Sequence, residues 1–150
     1  MEEFRRLEKS DLHEIIMVAK SSYDSISLDT YVLDDILCSF DKNQRYKLEL
    51  YGFFRNDKLV HFCGIGKSLG IGATYELRLA TTLTEFRSMG YAARSLERRL
   101  AIIESRERDY RALIQVATKK TTPYIKHGFK KSEYISRKGF VYLTKIINNY

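Results

Sequence analysis

The sequence predicts a mixed α/β fold, in which helices flank one sheet and the elements follow the order β-α-α-β-β-β-α-β-α-β-β. Runs rich in aromatic and β-branched residues alternate with amphipathic stretches of helical period. The 150 residues, 44% of them hydrophobic, suffice for one core and are too few for two ordinary domains. No repeat, low-complexity segment or proline-rich linker divides the sequence. We therefore expect a single domain over residues 1–150.

The first third of the chain predicts one strand and two helices. The strand covers Phe4 to Leu7, and Ser10 is a candidate cap for the helix that follows. The apolar stripe of this helix is Leu12, Ile15, Ile16 and Ala19. The second helix follows cap candidates at Ser27 to Asp29, and its stripe is Val32, Leu33, Ile36, Leu37 and Phe40. The polar run from Asp41 to Arg45 then predicts a loop.

The rest of the chain predicts strands around one long helix. Strands at Tyr46 to Phe54 and Leu59 to Ile65 are separated by a turn-rich tetrad, Arg55 to Lys58, which favours a hairpin. A loop from Gly66 to Gly72 leads to a strand at Tyr75 to Leu83, and the long helix covers Tyr91 to Glu104. The remaining predicted elements are a strand at Ala112 to Ala117, a short helix at Thr122 to His127, and strands at Lys130 to Ile135 and Phe140 to Ile147.

A glycine-containing turn from Glu85 to Ala92 connects the fourth predicted strand to the long helix. The first backbone N–H groups of a helix have no partners within the helix and lie at the positive end of its dipole. Phosphate oxygens can accept hydrogen bonds from these groups, and Gly90 lets the backbone approach a ligand closely because it lacks a Cβ atom. The turn therefore predicts an anion-binding site.

The order Arg-x-x-Gly-x-Ala at Arg87, Gly90 and Ala92 resembles the pyrophosphate-binding signature of the GNAT N-acetyltransferase superfamily. Tyr124 to Phe129, which reads Tyr-Ile-Lys-His-Gly-Phe, is similar to a second segment of that superfamily. The predicted order of elements matches the GNAT fold along essentially the whole chain. The resemblance implies an enzyme that transfers an acetyl group from acetyl-CoA to a primary amine, by direct attack of the amine on the thioester.

The resemblance also implies a set of cofactor-binding residues. The diphosphate would lie on the backbone N–H groups of Ser88, Met89, Gly90, Tyr91 and Ala92, and Arg87 would add positive charge. The backbone of Thr81, Thr82 and Leu83 would pair with the pantetheine arm, and an amide of this strand would donate to the thioester carbonyl. The alternative is that Thr81 and Thr82 are ordinary sheet residues, which their β-branched side chains also suit.

The resemblance also implies two candidates for proton transfer, the tyrosine of the second segment and a carboxylate of the strand before the turn. Tyr124 could protonate the departing thiolate, because a phenol with an ordinary pKa of about 10 is protonated at neutral pH. The alternative is that Tyr124 only packs the short helix against the sheet. Glu76 is the candidate base for the amine, although its ordinary pKa of about 4.3 would have to rise or a water would have to relay the proton. A solvated or Arg78-paired carboxylate is the alternative for Glu76, and Glu49 or solvent could replace it as the base.

The charge of the chain leaves the partners open. A net charge of +7 and a pI near 9.4 favour acidic partners, which include the phosphates of coenzyme A and nucleic acids. Lys119, Lys120, Lys130 and Lys131 have no acidic neighbours in sequence. Two further functions therefore stay open: an acyltransferase of this fold that modifies nucleic acid or a nucleic-acid-bound protein, and a non-catalytic acyl-CoA-binding protein. The amine acceptor has no recognisable signature, and a homodimer is an open alternative.

Other functions have little support in the sequence. The three histidines are scattered, so we expect no metal site, and Gly66-Lys67-Ser68 lacks the first glycine of a nucleotide-binding P-loop. Cys38 and Cys63 lie in apolar surroundings and are expected to be reduced core residues. No run approaches the roughly 18 apolar residues of a membrane span, and the first residues contain no apolar signal segment. These features predict a cytoplasmic protein without a membrane partner.

Overall fold

A computed structural model of the protein describes residues 1–44, 47–68, 73–108 and 111–148. In this part of the chain, seven strands form one sheet. They are β1 (Glu2–Arg6), β2 (Lys47–Arg55), β3 (Lys58–Lys67), β4 (Ala73–Thr82), β5 (Arg111–Thr118), β6 (Lys130–Ile135) and β7 (Val141–Asn148). The strand order across the sheet is β1-β2-β3-β4-β5-β7-β6.

The helices are α1 (Leu12–Lys20), α2 (Ser25–Ser27), α3 (Leu33–Cys38), α4 (Tyr91–Arg106) and α5 (Thr122–Lys126). A single wide π-type turn, Leu28–Val32, joins α2 to α3, and short 3₁₀ turns precede α1 and α4 at Lys9–Asp11 and Thr84–Phe86. Because the turn continues the helical run, α2 and α3 together correspond to the second predicted helix. The predicted mixed α/β class and element order are therefore confirmed.

The sheet is antiparallel except at its centre. Each of the pairs β1-β2, β2-β3, β3-β4, β5-β7 and β6-β7 is antiparallel, whereas β4 and β5 are parallel. Parallel neighbours need a crossover connection, and α4 provides it. The crossover places the N-terminus of α4 at the end of the sheet where β4 finishes.

Two apolar clusters cover the two faces of the sheet. On one face, α1 packs on β3 and α3 packs on β2, and the fully buried side chains of this cluster include Ile15, Ile36 and Phe62. On the other face, α4 packs on the central strands through Leu96 and Ile103. Burial of a large aliphatic or aromatic side chain contributes about 1.5–3 kcal/mol, so both helical layers are held to the sheet mainly by apolar contact.

The first helices begin at different residues from those predicted. Asp11, not Ser10, precedes α1, and the backbone N–H of Glu8 donates to the Asp11 carboxylate at 2.8 Å. Asp24, not Ser27 to Asp29, caps α2, because its Oδ1 accepts from the Ser27 backbone N–H at 2.7 Å. Several capping side chains lie close together in this sequence, and the direction in which the preceding chain enters the helix selects among them.

The strands and loops also differ from the predictions in detail. Gly66 and Lys67, predicted to be in a loop, extend β3, because Lys67 still pairs with Tyr75 of β4. Of the rest of that predicted loop, the structure describes Ser68, and residues 69–72 fall outside the described residues. Arg45, the predicted end of a polar loop, and Tyr46, the predicted start of a strand, also fall outside them. The hairpin between β2 and β3 is confirmed, with Asn56 and Asp57 at positive φ.

Cys63 is buried, as expected, whereas Cys38 at the end of α3 is exposed and is not a core residue. Burial raises the pKa of the Cys63 thiol. Among the described residues, no helix is both long and apolar enough to cross a membrane.

The tight packing of β2 on β3 predicts that Gly52 cannot accept a side chain. A Cβ at Gly52 would lie 2.5 Å from Leu59 Cδ1, 2.9 Å from Leu7 Cδ2 and 3.1 Å from the backbone oxygen of His61. Overpacking of this kind typically costs about 1–3 kcal/mol. We expect Gly52→Ala to lower the free energy of unfolding in urea by that amount. Lys131→Ala on exposed β6 is the control, with an expected change within about 0.5 kcal/mol. Equal stability of the two variants would contradict the packing described here.

Candidate functional site

The candidate site is a wedge between β4 and β5. These strands pair in parallel only over four residues, Ala73 to Glu76 on β4 with Ala112 to Gln115 on β5. Beyond this ladder β4 remains paired with β3, and β5 remains paired with β7. The two facing edges diverge, so the sheet opens at its centre towards the N-terminus of α4.

A β-bulge shapes the β4 side of the wedge. The register between β3 and β4 shifts by one residue after Arg78, and Leu79 has a left-handed backbone with φ of 57°. Such a bulge adds one residue to the strand and redirects the backbone that follows it. At the end of β4, the Leu83 N–H donates to the Val60 carbonyl at 2.8 Å. Because backbone groups alternate in an antiparallel ladder, the peptide groups of Thr82 point away from β3 and into the wedge.

The wedge contains two cavities that meet. The first cavity, of about 670 Å³, extends to the turn before α4 and includes Arg87, Gly90 and Lys120 in its lining. The second cavity, of about 370 Å³, extends towards α2 and β7 and includes Tyr23, Glu76 and Tyr142. Among the described residues, those that line both cavities are Ala80, Arg99, Thr118 and Tyr124. We call these four residues the junction.

The turn that leads into α4 has the backbone conformation expected of a glycine site. Gly90, with φ of 82°, immediately precedes α4, and Ser88 is also left-handed with φ of 66°. A Cβ at Gly90 would have only Arg94 Nε nearby, at 4.0 Å, so the space above the turn is open. Ser88, Met89 and Ala92 are exposed. The turn therefore presents accessible backbone to the first cavity.

Tyr91 and Arg87 attach this turn to the rest of the fold. Tyr91 is buried against the Phe53 ring, with centroids 5.4 Å apart, and its hydroxyl donates to Glu2 at 3.0 Å. Arg87 Nη2 donates to Ser22 Oγ at 2.9 Å and to the Ser21 carbonyl at 3.3 Å. The Arg87 guanidinium thus links the turn to the end of α1 while it lines the first cavity.

The three strand residues predicted to contact a cofactor differ in their environments. Thr81 is buried, and its hydroxyl donates to the Leu79 carbonyl at 3.0 Å. Thr82 Oγ1 lies 2.7 Å from His61 Nδ1, and the Thr82 carbonyl, which points away from β3, accepts from Ser22 Oγ at 3.3 Å. Leu83 differs from the prediction, because its N–H is bonded to β3 and its carbonyl accepts from Phe86 at 2.9 Å. Leu83 therefore contributes no unpaired backbone group to the wedge.

Tyr124 lies at the junction. It is in α5, half-buried, with its ring edge-on to Phe129 at a centroid distance of 5.5 Å. Among the described residues its hydroxyl has no hydrogen-bond partner, although the cavities are directly beside it. A phenol in this position can donate a proton to a group held in the wedge.

Glu76 and Glu49 lie in different places. Glu76 lines the second cavity, and Arg78 Nε is 3.9 Å from its Oε1. Arg78 also pairs with Asp35 of α3 at 2.8 Å, so one arginine connects two carboxylates. Glu49 does not line either cavity of the wedge; it pairs with Arg6 at 2.9 Å and with Arg106. The structure therefore separates Glu49 from the wedge and keeps Glu76 in it.

Three residues of this site did not stand out in the sequence. Leu79 and Ala80 form the bulge, and no glycine or proline marks it. Arg99 is one of several arginines of α4, so its residue type does not distinguish it, and it is buried. The sequence does contain one indication that Arg99 is buried: it lies one helical turn after Ser95, on the apolar side of the helix.

No protein-family model matches the chain, and a search of curated proteins finds no match. Solved structures do match. The PaiA N-acetyltransferase of Thermoplasma acidophilum, solved with coenzyme A, is 17% identical, with a TM-score of 0.71 over 97% of this chain and 98% of its own. An acetyltransferase of the GNAT family from Desulfovibrio desulfuricans is 15% identical, with a TM-score of 0.74 and full coverage of both chains. An aminoglycoside 6′-acetyltransferase of type Ii is 13% identical, with a TM-score of 0.75, and the match covers 95% of this chain and 96% of that one.

These matches show that the chain has the GNAT fold, along its whole length, at a sequence identity too low to transfer an activity. The resemblance seen in the sequence is confirmed at the level of the fold. What the wedge binds must be argued from its own residues.

His61, beneath Thr82, predicts a pH dependence of stability. Burial, with Arg99 and Arg94 nearby, lowers the pKa of His61 to about 3. An unfolded histidine titrates near 6.5, so between about pH 3 and 6.5 the unfolded chain binds the additional proton and stability falls as the pH falls. We expect His61→Gln to flatten the dependence of the unfolding free energy on pH between about 4 and 6.5. His13→Gln, at an exposed residue of α1, is the control and should retain the wild-type slope. Parallel slopes for all three proteins would show that His61 titrates normally.

Proposed function

We propose that this protein is an acetyl-CoA-dependent N-acetyltransferase that transfers the acetyl group to a primary amine by direct attack on the thioester. The observation that carries the proposal is the wedge itself. An open strand edge leads from a glycine turn at a helix N-terminus to a junction that contains a phenol, and a second cavity reaches the same junction from the other side. This arrangement supports a donor on one side and an acceptor on the other.

The donor would occupy the first cavity. Its diphosphate would accept from the backbone N–H groups of the segment from Ser88 to Ala92, with Arg87 adjacent. Its pantetheine arm would extend along the wedge and pair with the backbone of Thr82 in the manner of an added strand. The redirected backbone at Ala80 would be next to the thioester carbonyl. No metal-binding cluster of His, Cys, Asp or Glu occurs among the described residues, and the proposed reaction needs no metal.

The acceptor would approach through the second cavity. Tyr23 and Tyr31 contribute to its lining from the segment between α1 and α3, and Phe140 and Tyr142 contribute from the start of β7 and the residue before it. A neutral amine would attack the carbonyl carbon, forming the C–N bond as the C–S bond breaks. Its proton would pass to Glu76, directly or through water, and the electron pair of the broken bond would go to sulfur.

Tyr124 would complete the reaction by protonating the thiolate. Its hydroxyl is at the junction and makes no hydrogen bond with the described part of the protein.

Two measurements test the proposed function: titration calorimetry with coenzyme A, and thiol release from acetyl-CoA in the presence of a panel of primary amines. Binding with amine-dependent release would support it. Binding without release would favour the non-catalytic alternative, and absence of both would contradict the proposal.

Gly90→Val tests the position of the diphosphate. Valine strongly disfavours the φ of 82° found at Gly90, so the turn should change and its N–H groups should no longer converge. We expect the affinity for coenzyme A, measured by calorimetry, to fall at least about tenfold, the loss of roughly one charge-assisted hydrogen bond.

Gly139→Val is the matched control for this substitution. Gly139 has a φ of 81° in the turn before β7, and apart from its two chain neighbours no described residue has a heavy atom within 4 Å of the position that its Cβ would take. It does not line either cavity of the wedge. The same backbone strain should therefore leave the affinity for coenzyme A unchanged. If both variants retain wild-type affinity, the diphosphate does not bind at the turn.

Tyr124→Phe tests the proton donor. Removal of the hydroxyl should leave the melting temperature nearly unchanged, because that hydroxyl bonds to none of the described residues, and should lower kcat about 10²-fold. Steady-state thiol release with acetyl-CoA provides the measurement. Tyr134→Phe on exposed β6 is the control and should retain the wild-type kcat. An unaltered kcat for Tyr124→Phe would assign Tyr124 to packing alone.

A further inference from the structure

Arg99 is a buried guanidinium without an acidic partner among the described residues. It is 1% exposed, and its hydrogen bonds run from Nε to the Ser95 carbonyl and from Nη1 to the Gly64 carbonyl, both at 3.3 Å. Within the described parts of the chain it forms no ion pair, and Nη2 has no acceptor. An arginine carries five N–H donors, so the described residues leave most of its donor capacity unused.

Burial of an uncompensated charge is unfavourable. An ion that leaves water without a partner costs several kcal/mol even after the protein relaxes, and two long hydrogen bonds to carbonyls repay only part of this. More exposed arginines of α4 are placed differently; Arg94 pairs with Glu2, and Arg106 pairs with Glu49. Arg99 is therefore not explained as a stabilising residue of the fold, and a site that receives an anion would account for its position.

The position of Arg99 identifies where that anion would form. Arg99 lines both cavities, together with Ala80, Thr118 and Tyr124. Its hydrogen bond to Gly64 places the guanidinium beside the β3 residue that pairs with Arg78, next to the bulge of β4. The two cavities therefore adjoin each other beside Arg99. Among the four junction residues Arg99 is the cation, and Tyr124 is the acid.

We infer that Arg99 is a catalytic residue that stabilises the negative charge developing on the thioester during acyl transfer; this inference rests on the proposed function. As the amine nitrogen bonds to the carbonyl carbon, charge grows first on the carbonyl oxygen and then, as the C–S bond breaks, on sulfur. The guanidinium lowers the energy of both charges, and Tyr124 then delivers the proton that makes the free thiol. A fixed cation shielded from water acts strongly on such charges because it is already oriented.

Arg99→Met tests this role, because methionine retains much of the length of the side chain and removes the charge. We expect kcat with acetyl-CoA to fall about 10²-fold, the usual cost of removing one group that stabilises an oxyanion. The dissociation constant of coenzyme A should change less than about threefold, since the charge forms only during reaction. The melting temperature should be unchanged or higher, because replacing a buried charge by an apolar group is often neutral or stabilising.

Two further variants complete the experiment. Arg98→Met, at the exposed neighbouring position of α4, is the control and should retain the wild-type kcat. Arg99→Lys retains the charge with different geometry and should recover part of the kcat that Arg99→Met loses. All variants are compared with the wild-type protein for thiol release and for coenzyme A binding.

Three results would overturn the inference. One is a kcat for Arg99→Met equal to that of an active wild-type protein. Another is a loss of kcat that accompanies an equal loss of coenzyme A affinity or a fall in melting temperature, which would make Arg99 structural. The third is faster turnover of succinyl-CoA than of acetyl-CoA by the wild type, reversed in Arg99→Met, which would make Arg99 a binding residue for an acyl carboxylate. Failure of the wild type itself to bind coenzyme A or release thiol would instead remove the proposed function, and the role of Arg99 with it.

Discussion

The short parallel ladder between β4 and β5 fixes the shape of the whole site. Four residues of each strand hold the two antiparallel halves of the sheet together, and beyond Glu76 the strands diverge. Past the bulge at Leu79, β4 stays paired with β3, and the pairing with β7 holds β5 on the other side. To close the gap, β4 would have to give up its pairing with β3, or β5 its pairing with β7. The unpaired edges are thus maintained by full pairing elsewhere.

Aromatic contacts and ion pairs hold the turn before α4 at the mouth of this gap. Tyr91 is the centre of the contacts, because its ring packs on Phe53 and its hydroxyl reaches Glu2 at the other edge of the sheet. Arg94 adds an ion pair to the same carboxylate. Tyr91 and Arg94 lie one and four residues after Gly90, so the exposed backbone of the turn leads into a well-anchored helix. A ligand would meet preorganised donors and would not have to order them.

The two arginines that line the second cavity differ in their partners. Arg78 is shared by Asp35 and Glu76, whereas Arg99 is bonded only to carbonyls in the described structure. The junction therefore carries an unbalanced positive charge inside a buried region, where charge interactions are strong. Costly charged groups of this kind cluster at functional sites. Burial is the larger cause of the low pKa of His61, and the positive charge of Arg99 lowers that pKa further.

Periodicity and turn residues suffice to predict the fold class, the order of elements, the β2–β3 hairpin and the glycine turn at Gly90, because these depend on neighbours within a few residues. The resemblance to the GNAT superfamily, and not periodicity, pointed to Tyr124 and Glu76, and the structure brings both to the wedge. The folded chain was needed to show that Leu83 is paired with β3, that Glu49 lies elsewhere, and that Arg99 is buried at the junction. A bulge, a diverging strand pair and the burial of one arginine among several result from contacts between residues distant in sequence, and local patterns do not encode such contacts.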